Sequence, residues 1–114
     1  MTINRFEDIL SWQKSKQLTI EIYRIFSQSR DYSFRDQIQR ATVSIMNNIA
    51  EGFERKGNKE FKNFLFIAKG SCGEVRSMLI LASELNYISK EKINSLLFLT
   101  EEIAKLLSGL IKTL

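Results

Sequence analysis

Apolar residues recur at helical spacing in four stretches of this chain, separated by short polar breaks. Over residues 8–28 the core positions are Trp12, Leu18, Ile22, Ile25 and Phe26, and a polar run at 27–31 closes the segment. A second helix is predicted over 34–54, with Phe34, Ile38, Ala41, Ile45 and Ile49 on one face. Ser33 offers it an N-cap hydroxyl, and Asp36 places a carboxylate near the positive end of its dipole. Gly57 and Asn58 interrupt the pattern, and Asn58 is positioned to cap a third helix over 59–86. That helix has the clearest stripe: Phe61, Phe64, Leu65, Ala68, Cys72, Val75, Leu79, Ala82 and Leu85, with Asn86 as its stop. Ser89 then caps a fourth helix over 90–113, whose seam is Ile93, Leu97, Thr100, Ala104, Leu107, Ile111 and Leu114.

Connections of a few residues between long helices make neighbours antiparallel. The predicted fold is therefore all-α, an antiparallel up-down-up-down four-helix bundle forming a single domain over residues 1–114. The absence of proline supports helices over a sheet, whose turns recruit such breakers.

Two helices carry more apolar surface than this seam requires. On the fourth, Leu96, Leu99, Ile103, Leu106 and Leu110 form a second row. On the third, Phe66, Gly70, Gly73, Ser77 and Ile80 repeat at helical spacing, and each mid-helix glycine costs about 1 kcal/mol relative to alanine. Such a cost points to close packing at this row, either within a wide core face or against another copy of the chain.

The second helix also bears a polar line. Arg40, Ser44, Asn48 and Glu51 step by four, four and three, which stacks a cation, a hydroxyl, an amide and a carboxylate on one face, with Gln37 a turn before them. Ser71 and Glu74 on the third helix supply matching groups. An antiparallel pair would let Glu51 or Glu74 meet Arg40, giving a structural polar network. Read as chemistry, Glu51 and Glu74 would be an acid–base pair or ligands for a divalent cation. Arg40 would neutralise one of them, and the chain contains no histidine to complete a Glu-x-x-His di-metal site. The structural reading is favoured: no catalytic residue, no metal ligand and no cofactor.

Seventeen basic against thirteen acidic residues give a net charge of +4, compatible with a nucleic-acid partner without requiring one. Arg55, Lys56, Lys59 and Lys62 cluster around the second loop, with Lys69 two turns on, and a helix start there would add backbone N–H groups for phosphate. In a ring of identical subunits this modest patch would be repeated. Aromatic residues at helical spacing, Trp12 and the phenylalanines of the third helix, read as core. Cys72 lies in the apolar stripe as a buried small hydrophobe, and as the single cysteine it excludes an intrachain disulfide. No apolar run is long enough to span a bilayer and no signal-peptide pattern opens the chain, so a cytoplasmic protein without membrane contact is expected.

Several blocks together resemble a known family. They are Phe6-Glu7-Asp8-Ile9-Leu10 with Trp12-Gln13-Lys14, Gln37-Ile38-Gln39-Arg40-Ala41 with Ser44-Ile45, and Asn48-Ile49-Ala50-Glu51-Gly52. Phe61, Phe64-Leu65 and Ala68-Lys69-Gly70-Ser71 with Glu74 follow in order. The pattern is similar to that of the bacterial four-helix-bundle proteins encoded in intervening sequences of 23S rRNA genes. Phe34 stands where the family usually has leucine, and the first loop lacks the usual proline. The resemblance implies a homo-oligomer, a pentameric ring as in known relatives. By likeness to the accessory protein of diversity-generating retroelements, it implies binding of RNA or DNA and of a nucleic-acid-processing protein. The family pattern offers no catalytic residues. A protein–protein adaptor without a nucleic-acid role is the second reading of the same sequence.

Overall fold

The structure, a computed structural model, describes residues 3–114. A short 3-10 turn (Phe6–Asp8) leads into α1 (Leu10–Phe26), α2 (Tyr32–Phe53), α3 (Asn58–Glu84) and α4 (Lys90–Lys112). There is no strand among the described residues. Around the bundle α1 packs on α2, α2 on α3, α3 on α4 and α4 back on α1, with no close backbone approach across either diagonal. This is the up-down-up-down four-helix bundle expected from the four apolar stripes.

The helix ends differ from expectation in physically informative ways. Asp31, not Ser33, caps α2: its carboxylate accepts from the Phe34 N–H at 3.1 Å, so the helix begins at Tyr32. Aspartate is the stronger acceptor at the dipole's positive end. Asn58 does not cap α3 but is its first residue; Gly57 is the N-cap and provides no side-chain bond. Ser89 caps α4 as predicted, accepting from the Lys92 N–H at 3.2 Å. Asn86 does stop α3. It adopts a left-handed φ of 59°, and the bonds Asn86 N–H to Ser83 O and Tyr87 N–H to Ala82 O complete a Schellman turn. Helix α3 therefore ends at Glu84, and Leu85, predicted to be core, lies 45% exposed.

The core runs along the bundle axis through Leu18, Ile22, Ile38, Ile45, Ile49, Leu65, Val75, Leu79, Ile103 and Leu107, all fully buried. Leu96 and Ile103 of the second row on α4 are buried too, and Leu99 and Leu110 pack on the core half-buried. That row is a wide core face. The polar face of α1 was not anticipated: Ser11, Ser15 and Thr19, four residues apart, are all buried. The Ser15 and Thr19 hydroxyls return to carbonyls one turn back, and Thr19 also reaches Thr42 O of α2 at 3.4 Å. Ser15 and Thr19 are thus satisfied by their own helix, whereas the Ser11 hydroxyl is buried without a hydrogen-bond partner.

Helices α2 and α3 approach closely at Gly52. A Cβ there would lie 2.5 Å from Phe64 Cβ and 3.1 Å from Phe61 Cδ1. By contrast, Gly70 and Gly73 face open space, with nothing within 4 Å of an added Cβ. The close-packing glycine of this chain is thus Gly52, and the α3 row serves no packing within the chain.

Candidate nucleic-acid interface

At one end of the bundle the last turn of α2, the loop at 54–57 and the first turn of α3 bring Arg55, Lys56 and Lys59 together, all exposed, with Lys62 half-buried one turn on. Arg55 is held in place: it donates to Glu51 Oε1 at 2.9 Å, and its guanidinium lies 4.9 Å from the centre of the Phe64 ring. Among the described residues no ion pair engages Lys56, Lys59 or Lys62. Because Gly57 supplies no capping side chain, the first N–H groups of α3 are directed outward beside these cations. An open cleft of about 450 Å³ adjoins them, lined by Arg55, Lys56, Gly57 and Asn58 and floored by Phe53 and Phe61. The arrangement can attract phosphate groups. It offers no exposed aromatic for base stacking, since Phe61 is buried and Phe53 packs edge-on against it.

Lys69 is not part of this cluster. Twelve residues of helical rise put it about 18 Å beyond Gly57. There it lines a groove between α3 and α4 of about 430 Å³, with Cys72, Gly73, Arg76, Thr100, Glu101, Ala104 and Lys105.

The polar line of α2 divides in two. Its middle forms a seam with α3: Ser44 Oγ and Ser71 Oγ share a 3.0 Å hydrogen bond, and Asn48 Nδ2 donates to Ser44 O at 2.7 Å and to its Oγ at 2.9 Å. Gln37 Nε2 donates to Glu74 Oε2 at 3.4 Å. The ends do not close as predicted. Arg40 is exposed and forms an ion pair with neither Glu51 nor Glu74; Glu51 takes Arg55 four residues on, a shorter reach along the same helix face. Glu51 and Glu74 also stand apart. The Gly52–Phe64 contact puts Glu51 level with Phe64, so Glu74 lies about 15 Å further along α3, too far for a shared ion or proton.

The row Phe66, Gly70, Gly73, Ser77 and Ile80 is wholly on the outer face of α3, with Phe66 and Ile80 about half exposed. Cys72 is buried and donates its S–H to Thr100 O at 3.2 Å; burial raises its pKa to about 11, against a small opposing pull from Arg76. At the far end of the bundle, Tyr87 in the loop after α3 donates its hydroxyl to Asp31 Oδ2 at 2.8 Å and stacks edge-on against Phe34. That bond holds the Asp31 carboxyl below its usual range, helped by the Phe34 N–H, and raises the Tyr87 phenol. Sequence reasoning missed this tie because its partners are 56 residues apart.

These features define a class, an all-helical bundle with a polar α2–α3 seam and a basic loop at one end. The chain belongs to the 23S rRNA-intervening sequence protein family, whose pattern matches residues 7–109. It is similar to the crystal structure of a protein of unknown function from the S23 ribosomal protein family of Bacteroides thetaiotaomicron. That protein is 29% identical, the match covers 90% of this chain and 99% of the other, and the TM-score is 0.84. No curated protein matches the chain. Among the described residues no helix is long and apolar enough to cross a membrane.

Proposed function

We propose that this chain is a non-enzymatic homo-oligomeric bundle, a pentameric ring, that binds RNA or other nucleic acid in the cytoplasm through its basic α2–α3 loops. The observation that carries the reading is the placement of Lys56, Lys59 and Lys62 without acidic partners beside an uncapped helix start. In a ring this loop is repeated at one rim, and contacts that are individually weak add along a single polyanion. Family membership favours a ribonucleoprotein setting, in which a nucleic-acid-processing protein is a natural further partner. A protein–protein adaptor is the second reading, favoured by the half-exposed Phe66, Ile67, Ile80 and Leu81 on α3.

Titration of salt against binding of a structured RNA hairpin tests the first reading. Affinity should fall steeply between about 50 and about 200 mM salt, and the slope should flatten in the double variant Lys56→Glu, Lys59→Glu. Absence of binding at low salt, or an unchanged slope in the variant, would refute it.

A further inference from the structure

Resting on the reading that the chain forms a closed ring, we propose that copies join by seating Phe98 of one in the glycine hollow of α3 on the next. Phe98 is the most exposed large apolar side chain described, at 69%, and projects from the outer face of α4. On the outer face of α3, Phe66 and Ile67 stand at one end and Ile80 and Leu81 at the other, each about half exposed. Between them the backbone is bare at Gly70 and Gly73, where an added Cβ meets nothing. A knob and a hollow of matching chemistry thus occupy different faces of one molecule. Contact between two different faces is heterologous, and it closes into a ring or runs on as a filament according to the offset between them.

That offset is small. Cys72 bonds to Thr100 O, which fixes the heights of α3 and α4 relative to each other. Gly73 is one residue beyond Cys72, and Phe98 is two residues before Thr100 on the antiparallel helix. Helical rise displaces both toward the same end, and they lie level within about 2 Å. Successive copies joined this way do not climb along the bundle axis, as a ring requires.

The experiment uses the full chain and measures mass in solution by light scattering and native mass spectrometry. Phe98→Asp and Gly73→Leu each remove one half of the contact; Phe98 is exposed and Gly73 faces open space, so both should keep the helical circular dichroism of the wild type. Each variant alone should run at the mass of one chain. Mixed, they should form a heterodimer, because the first retains the hollow and the second retains the phenylalanine. If both variants keep the wild-type assembly, the copies meet elsewhere and this inference falls while the oligomeric reading stands. A wild type that is a single chain at every concentration would remove both.

Discussion

Replacing Gly52 by alanine is the sharpest test of how α2 and α3 are packed. The new methyl would sit 2.5 Å from Phe64 Cβ, where ordinary carbon contacts lie at about 3.5–4.0 Å. Phe64 Cβ is fixed to its backbone, so the clash cannot be relieved by rotating a side-chain tip; the helices must separate by about an ångström. Overpacking of this kind costs about 1–3 kcal/mol. Against it stands the gain of about 1 kcal/mol from alanine's better helix propensity. The separation would also strain the neighbouring Phe53–Phe61 contact and, two turns away, the Ser44–Ser71 bond, so we expect a net loss of about 1–2 kcal/mol. Gly109 is the control, since it lies in α4 with nothing near an added Cβ; Gly109→Ala should gain up to about 1 kcal/mol. Equilibrium urea unfolding at one fixed protein concentration, followed by circular dichroism, measures both. Equal stabilisation of the two variants would refute the close approach at Gly52.

Cys72, buried with its thiol raised to about 11, should resist alkylation by iodoacetamide at pH 8 in the native protein and react promptly in urea; native labelling at the unfolded rate would contradict the buried site. The Asp31–Tyr87 tie should give stability a defined pH window. Asp31 is depressed in the folded state, so its contribution is complete above the ordinary carboxyl value of 3.8 and is lost as pH falls through the lower folded value. Tyr87 is raised, so its contribution is present below 10.0 and is lost as pH rises through the higher folded value. Melting temperatures of Tyr87→Phe against wild type should therefore differ most near neutral pH and converge at both extremes; a constant difference would refute the linkage.

The four helices were legible because each repeats its apolar residues with little interruption: Ile38, Ile45 and Ile49 on α2 and Leu65, Val75 and Leu79 on α3 were identified and are fully buried. The cap of α2 was not, because Ser33 and Asp31 are both good acceptors, and only the path of the loop selects between them. Glycine roles were the least legible. Gly52, Gly70 and Gly73 look alike in the sequence, yet only the first meets a neighbouring helix, and that depends on which residue of α3 lies opposite. The polar line on α2 was half readable. Its members share a face, as spacing dictates, but Arg40 lies about 16 Å along the same helix from Glu51, which pairs with Arg55, and Arg40 stays outside the network.

The hydroxyl-bearing strip of α1 has a consequence for how this sequence can vary. Ser11, Ser15 and Thr19 are short, and none can swing aside to make room for a larger neighbour. Where Thr19 meets the Thr42 carbonyl of α2, spacing is set by a short side chain against main chain. Added bulk there would have to lift an entire rod, so Ser11 and Ser15 should accept alanine, Thr19 should accept serine or alanine, and the strip should reject almost everything larger.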